Sequence, residues 1–343
     1  MNELNIRTGW LTLNRKCHFH CEWCYANTAK NISDMDYDKA IQAVDALTEV
    51  GVKKIVLIGG EPLLYPDIIG LIDYIHRKKI LVSIATNGVE FVNESVCKTI
   101  CSAGVDNINI SLKSTTEEGY KENVGAYGLI NALTGYKNLE KNGLTPTVSY
   151  VITNSSIKEI EELIELCGDF GINNISFQYV KPIIKKDSDP IMDLQDMGIH
   201  ICKLYELMEM SGIRWSVEIS FPLCLIPDEY RDKIVNSGKI YSGCHIRRGS
   251  GVVFDTDFRI IPCNHFVNMP FIDSPVKSID KESIISLRNS DEYKRFQDRI
   301  SKYPGKKCEN CELWDKCGGG CFTRWIFCNP EEYCKGISNK EME

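Results

Sequence analysis

No run of about 18 apolar residues occurs anywhere in the 343-residue chain, so no segment reads as a membrane-spanning helix. The opening residues, MNELNIRTGW, lack the apolar core of a secretory signal, and a cytoplasmic location is expected. Basic charge is in deficit, with 40 Lys and Arg against 47 Asp and Glu for a net charge of -7, which argues against nucleic acid as a partner. Cysteine, at 16 residues, falls short of the roughly 8–10% that marks a disulfide-stapled scaffold. In a reducing compartment such thiols serve as metal ligands or as small buried hydrophobes. The length allows about two domains, or one α/β barrel with an appendage.

The cysteines that are present are unevenly placed. Cys17, Cys21 and Cys24 fall close together, and Cys308, Cys311, Cys317, Cys321, Cys328 and Cys334 crowd the last part of the chain. The others are Cys97, Cys101, Cys167, Cys202, Cys224, Cys244 and Cys263.

From residue 9 to about 182, short β-branched runs at 11–14, 54–59, 81–86, 108–112, 147–153 and 175–180 alternate with stretches of helical period at 37–51, 66–78, 93–104, 127–143 and 157–171. Four of these stretches carry a Gly at their end, Gly51, Gly104, Gly143 and Gly171, as left-handed helix C-caps require. The alternation predicts βαβ units and a parallel sheet. Six units are too few to close an eight-stranded barrel. The expected fold is therefore α/β, a partial (β/α)6 TIM-like barrel over 1–182, with a bridging region over 183–240 and a small C-terminal domain over 241–343. The bridge should hold a helix over 194–212, a strand over 213–220 and a Pro-bearing loop, FPLCLIP; a hairpin is expected over 250–263. The apolar content of the C-terminal region is thin, which suits a domain organised by metal.

Suggestive residues gather where the strands end. Cys17 to Cys24 follow the first, Gly59-Gly60-Glu61-Pro62 the second, Thr86-Asn87-Gly88 the third and Ser111 to Ser114 the fourth, while Asn154 follows the fifth and Gln178 lies late in the sixth. Strand ends of a parallel barrel converge on one rim, where active sites lie.

The first cluster has the spacing CX3CX2C. Three thiols leave a metal centre one vacant position, the mark of a chemical site, although zinc with His18 or His20 as a fourth ligand stays open on spacing alone. The tail reads Cys308-X2-Cys311-X5-Cys317-X3-Cys321, with Cys334 beyond it and Cys244 and Cys263 before it. A zinc ribbon is the alternative there.

CX3CX2C after the first strand, Trp23 directly before its third Cys and Gly59 to Pro62 after the second strand together resemble the radical S-adenosylmethionine (SAM) superfamily. The resemblance implies a 4Fe-4S cluster on Cys17, Cys21 and Cys24, with SAM chelating the remaining iron and cleaved to a 5'-deoxyadenosyl radical that abstracts a substrate hydrogen. It further implies that Gly59, Gly60, Glu61 and Pro62 meet the methionyl amino group and that Trp23 lies near the adenine. Ser111 and Asn154 match positions that contact the ribose or carboxylate, and Gln178 and Val180 match positions near the adenine. Strand four reads SLKS, so Lys113 stands where many relatives carry an acidic residue.

The tail resembles the SPASM domain of radical SAM maturases, which carries up to two auxiliary iron-sulfur clusters, here expected as 4Fe-4S. That resemblance implies an inner cluster on Cys244, Cys263 and Cys321, with Cys224 a candidate further ligand, and an outer cluster on Cys308, Cys311, Cys317 and Cys334. The Gly of the family signature CX9-15GX4C is Phe258 here. Cys328 is a spare thiol.

Other residues divide between chemistry and packing. Cys97 and Cys101, four apart on one helix, are expected as packed core thiols, as are Cys167 and Cys202. His245, Arg247, Arg248 and His265 are candidates for binding a substrate carboxylate or tuning a cluster, or are solvated. Lys181, Lys185 and Lys186 read as a solvated loop. The stretch 120–128 either covers the rim or leads as a loop into the next helix.

Together these features point to an enzyme, a radical SAM/SPASM oxidoreductase or maturase. The expected substrate is a ribosomally made peptide or protein, to be crosslinked, oxidised or epimerised. The alternative is a small-molecule dehydrogenase or epimerase acting on a sugar or aminoglycoside. In either case an epimerase needs a hydrogen donor, for which Cys224 and Cys328 are candidates. A non-catalytic electron carrier would have no use for Gly59 to Pro62 on a barrel rim. Because the barrel starts within ten residues, leader binding would fall to a separate protein or to none. A flavodoxin- or ferredoxin-type reductant completes the expected partners.

Overall fold

The computed structural model describes residues 5–29, 33–154, 156–181, 193–242, 244–268, 279–302, 304–326, 328–335 and 337. Ten strands lie among them: β1 (Thr8–Thr12), β2 (Lys54–Ile58), β3 (Leu81–Thr86), β4 (Asn107–Leu112), β5 (Thr147–Ile152), β6 (Asn174–Tyr179), β7 (Arg214–Glu218), β8 (Ile240–Tyr241), β9 (Gly251–Phe254) and β10 (Ile260–Ile261). Every expected strand is present, though β1 begins at Thr8 instead of Leu11.

The chain forms two compact units, one of residues 1–147 and 245–298, the other of residues 148–244 and 299–343. In the first, the strand order is β10-β9-β1-β2-β3-β4, parallel except that β10 runs antiparallel to β9. In the second, β5-β6-β7-β8 are all parallel. The fold is α/β with an unclosed parallel sheet, a partial barrel. The expected hairpin at 250–263 forms, but β9 also pairs in parallel with β1, Thr8 opposite Gly251.

The helices bury one stripe each. Those before residue 240 are α1 (Tyr37–Glu49), α2 (Ile68–Arg77), α3 (Glu94–Ser102), α4 (Glu117–Val124), α5 (Leu129–Lys141), α6 (Ile160–Asp169), α7 (Leu194–Ser211) and α8 (Asp228–Asn236), and further helices, Lys281–Asn289 and Asp291–Ser301 the longest, follow. On α2 the buried residues are Ile68, Leu71, Ile72 and Ile75, the i, i+3, i+4, i+7 stripe, each contributing about 1.5–3 kcal/mol by leaving water. The Asp36 carboxylate accepts the Lys39 N–H at 3.0 Å and starts α1. Gly51, Gly104, Gly143 and Gly171 all have left-handed φ, from 62° to 94°. Among the described residues, no helix is long and apolar enough to cross a membrane.

Three expectations need correction. The stretch 120–128 is not simply a loop, since α4 occupies its first half. FPLCLIP contains a helical turn, Leu223–Leu225, and is followed by the unexpected α8. Lys181 is not solvated: its side chain, 16% exposed, pairs with Glu218 at 2.6 Å, which neutralises a charge the loop would otherwise have to expose. Lys185 and Lys186 lie outside the described residues.

Candidate metal centre

In the first unit, the segment leading to Cys17 lies against the end of β2. The Gly60 N–H donates to Asn14 O at 2.9 Å and the Glu61 N–H to Lys16 O at 2.6 Å, while the Asn14 side-chain amide returns to Glu61 O at 2.9 Å. This approach dictates glycine. A Cβ on Gly60 would stand 2.3 Å from Lys16 O and one on Gly59 2.9 Å from Asn14 O.

Glu61 is 1% exposed and its carboxylate accepts three hydrogen bonds, from Leu63 N–H at 3.1 Å, Thr86 Oγ1 at 2.8 Å and Asn87 N–H at 2.8 Å. Burial lifts its carboxyl above the usual range, against the pull of these donors. Glu61 therefore ties the second strand end to the third. The same Asn87 turns its side-chain amide to Cys17 Sγ at 3.7 Å and His18 Nδ1 at 3.2 Å, and the other nitrogen of His18 lies 3.1 Å from Glu90 Oε1. Both ring nitrogens of His18 thus have protein partners, which weakens it as a zinc ligand.

The three thiols share one loop. Cys21 is buried, Cys17 and Cys24 half-buried, and a turn is closed by the Cys24 N–H on Cys21 O at 3.0 Å. Burial pushes all three thiols up, and each repels another when ionised. Such a buried, mutually repelling set is relieved by a cationic iron-sulfur core, and Phe19 N–H, 3.4 Å from Cys17 Sγ, adds a donor of the kind that tunes cluster sulfurs. Among the described residues no three His, Cys, Asp or Glu side chains close on a single metal ion. Thiols around a four-iron core stand further apart than those around one ion, so this spread does not conflict with a cluster. The Lys113 ammonium acts on Cys21 and Cys24 to offset part of the burial effect, and it donates to Ser111 Oγ at 2.9 Å.

The turn between α4 and α5 supports this loop. Glu117 accepts the N–H groups of Gly128, Leu129 and Ile130 at 2.8, 3.2 and 2.9 Å, so one side chain caps the next helix. The His20 N–H donates to Val124 O at 3.0 Å. Phe19 packs against Gly128, where a Cβ would come within 2.5 Å of its ring, and edge-on to buried Tyr120. The 120–128 stretch thereby buttresses the cysteine loop.

The first unit also holds Cys263 and its neighbours. Phe258, standing at the signature's Gly, takes φ 66°, so the hairpin turn demands a glycine-like backbone there and Phe258 adopts it while burying its ring. His245 stacks on Trp10 with ring centroids 4.4 Å apart, which removes it from the solvated class; Arg247 is half-buried and Arg248 exposed. His265 Nδ1 lies 3.5 Å from Cys263 Sγ. Arg15 and Asp255 form a buried ion pair. Trp23 is half-buried.

In the second unit the tail thiols converge. Cys308 hydrogen-bonds Cys334, whose thiol is pushed up by that bond and by burial, and Cys224 and Cys317 also act on it. The Leu223 N–H points at Cys317 Sγ at 3.3 Å, and burial raises the Cys317 thiol to about 11, with Cys224 and Cys311 adding to it. Cys224 itself receives the Lys335 N–H at 3.3 Å. Cys224 thus stands beside Cys317 and Cys334, whereas the resemblance made it a candidate to join Cys244, Cys263 and Cys321.

Cys321 Sγ lies 3.0 Å from Thr323 Oγ1, and its N–H donates to Ser220 O at 3.0 Å. Cys244 and Cys328 are half-buried. Gln178 sits on β6 between Val151 and Glu218 in register, and Asn154 is exposed after β5. Sequence reasoning missed Arg324, 1% exposed, whose guanidinium donates to Ser220 O at 3.1 Å and Val180 O at 2.8 Å and so fastens the tail to two strand ends. No local signal separates a buried Arg from a surface one. Cys97, Cys167 and Cys202 are buried core thiols as expected, Cys97 donating to Phe91 O at 3.2 Å, while Cys101 is half-buried.

Residues 11–167 match the family model described as the radical SAM superfamily. The chain is 29% identical over 170 residues to a probable GTP 3',8-cyclase of Methanocaldococcus jannaschii, a match covering 48% of this chain and 56% of that protein. It is 27% identical over 176 residues to the pre-heme d1 synthase of Dinoroseobacter shibae, covering 49% and 42%. The matches thus span about half the length of these curated relatives. Among solved structures, SuiB of Streptococcus suis bound to S-adenosylmethionine superimposes with TM-score 0.75 at 19% identity, covering 97% of this chain and 77% of SuiB. The AdoMet-bound anSMEcpe follows with TM-score 0.71 at 16% identity, covering 92% and 89%.

Proposed function

Residues 11–167 make this chain a radical SAM enzyme, and from that premise we propose that it modifies a ribosomally made peptide or protein by crosslinking, oxidising or epimerising it. The observation that carries this reading is the extent of the structural likeness. Similarity to the curated relatives covers about half of the chain, whereas the likeness to SuiB and anSMEcpe runs over 97% and 92% of it. SuiB is also solved bound to the precursor peptide SuiA, and anSMEcpe with the Kp18Cys peptide.

When bound, a 4Fe-4S cluster and SAM supply one-electron cleavage of SAM and a radical able to abstract hydrogen. Cys17, Cys21 and Cys24 hold that cluster, with Phe19 N–H and the Asn87 amide donating to Cys17 Sγ. Gly59 and Gly60 let the second strand end close on residues 14–16 and would offer their backbone to the methionyl end of SAM, and Glu61 keeps that strand end in place. Trp23, Ser111, Asn154 and Gln178 are assigned to the adenosyl and carboxylate contacts; at Ser111 the Lys113 ammonium adds a positive charge where an acidic residue is usual. Cys308, Cys311, Cys317 and Cys334 take the outer auxiliary cluster, with Cys224 beside them, and Cys244, Cys263 and Cys321 belong to the inner one. The enzyme works with a flavodoxin- or ferredoxin-type reductant.

A second reading, a small-molecule dehydrogenase or epimerase, is favoured by the names of the curated relatives, which refer to a nucleotide and a heme precursor. The deciding experiment reconstitutes the full chain anaerobically and supplies SAM and dithionite. Release of 5'-deoxyadenosine is expected, and its absence overturns the radical reading. Replacing Cys17, Cys21 and Cys24 by Ala should abolish release and leave about eight irons for two auxiliary clusters or about four for one. Zinc in their place refutes the tail assignment. Deuterium transfer from a labelled precursor peptide into 5'-deoxyadenosine supports the peptide reading; transfer only from a sugar or aminoglycoside overturns it.

A further inference from the structure

Within the first unit, the loop of the three N-terminal thiols and the turn of Cys263 meet through aromatic side chains. Tyr25 directly follows Cys24 and opens the helical turn Tyr25–Thr28, and His265 lies in the turn Asn264–Phe266. Their ring centroids are 5.6 Å apart. The same His265 ring brings Nδ1 within 3.5 Å of Cys263 Sγ. A buried ion pair also joins these two segments, Arg15, two residues before Cys17, with Asp255, in the hairpin turn before Cys263.

We propose that Tyr25 and His265 form the coupling path between the cluster held by Cys17, Cys21 and Cys24 and the auxiliary cluster that takes Cys263. The inference rests on the reading of Cys263 as a ligand given above. The two rings conduct one electron, leaving the auxiliary cluster in its reduced state and entering the SAM-site cluster in its oxidised state; no bond forms or breaks and no proton moves. The rings serve as a packed medium between the sulfurs, and neither is itself oxidised. His265 is also a positioning residue, because its ring fixes the direction of the Cys263 sulfur. Neither role is visible in the CX3CX2C motif or the tail spacing.

The test uses the reconstituted full chain with every cluster loaded, compared with Tyr25→Leu, His265→Leu, the double variant, and the ring-preserving Tyr25→Phe. Iron per chain and the spectra of both clusters are measured first. Reduced enzyme is then mixed with SAM without free reductant, and freeze-quench paramagnetic resonance follows the passage of the electron from the auxiliary to the SAM-site cluster. The expected result is full iron, a shifted midpoint potential of the auxiliary cluster in His265→Leu, and transfer slowed about tenfold or more in the double variant, the scale on which outer contacts of metal ligands act. Tyr25→Phe should transfer at close to the wild-type rate. Equal rates in wild type and double variant, with both clusters present, overturn the coupling alone. A wild-type chain without any auxiliary cluster overturns the assignment of Cys263 and the coupling with it. If the double variant loses iron, the single variants carry the test: unchanged rate and potential in both refute the proposal.

Discussion

Replacing Gly60 by Ala tests whether the second strand end and the cysteine loop are a single built unit. The new methyl carbon would stand 2.3 Å from Lys16 O and 2.7 Å from both Arg15 C and Arg15 O. Ordinary carbon contacts begin near 3.4 Å, so about 1 Å of separation is needed, and every opposing atom is backbone that cannot swing away. Moving residues 15 and 16 stretches the Glu61 N–H to Lys16 O bond of 2.6 Å and displaces Cys17, the next residue. We expect a loss of about 3 kcal/mol or more, at the upper end for overpacked sites. Gly59→Ala, with its closest contact at 2.9 Å, should cost about 1–2 kcal/mol. Gly168→Ala is the control. It lies on α6 with nothing within 4 Å of the added carbon and should stabilise by about 0.5–1 kcal/mol. Urea unfolding of the reduced metal-free chain reads the stability, and iron per chain with SAM affinity after anaerobic reconstitution reads the site. Gly60→Ala and Gly168→Ala with the same unfolding midpoint, iron content and SAM affinity would refute the reasoning.

Glu61→Gln turns one acceptor of a fully used carboxylate into a donor facing Asn87 N–H or the Leu63 and Thr86 donors; it should cost about 1–3 kcal/mol and weaken SAM binding, measured by calorimetry, and unchanged affinity would mean that the buried carboxylate does not hold the strand end. His200, 5% exposed and 2.9 Å from the Tyr179 hydroxyl, is driven down to about 4 by burial, so it stays neutral when folded while the unfolded chain takes up a proton near 6.5. Its contribution is complete above pH 6.5 and falls as pH drops from 6.5 toward 4; between pH 7.5 and 5 about 2 kcal/mol should be lost in urea titrations, and His200→Gln should flatten that dependence. Arg324→Met strands the carbonyls of Val180 and Ser220 and should cost about 2–4 kcal/mol, with iron lost from the tail before it is lost from the Cys17, Cys21 and Cys24 site; equal loss from both contradicts the fastening role.

Much of the barrel was legible because its information is local. The alternation of two residue periods marks strands and helices, and the glycines at 51, 104, 143 and 171 end their helices in left-handed geometry for a steric reason that belongs to the residue itself. The parallel pairing of β9 with β1 was not legible, since a run such as GVVF carries no record of which strand it will lie beside. Helix α4 escaped notice for a related reason. Its polar sequence has only Tyr120 and Val124 buried, and its ends depend on Thr116, on Gly125 and on Glu117 reaching across to cap α5.

The amino-acid sequence by itself determined which thiols a metal centre could draw on. The identity and spacing of Cys17, Cys21 and Cys24 are covalent facts, and thiolates choose iron or zinc wherever they are folded. It also determined that Gly59 and Gly60 would permit a close approach, which the family resemblance gave to SAM. Tertiary structure alone showed that the backbone of residues 14–16 packs against them, because that contact joins segments more than forty residues apart in the chain. It likewise decided that Cys224 stands beside Cys317 and Cys334 and that Tyr25 meets His265, since a side chain's neighbours across long loops are set by packing and burial.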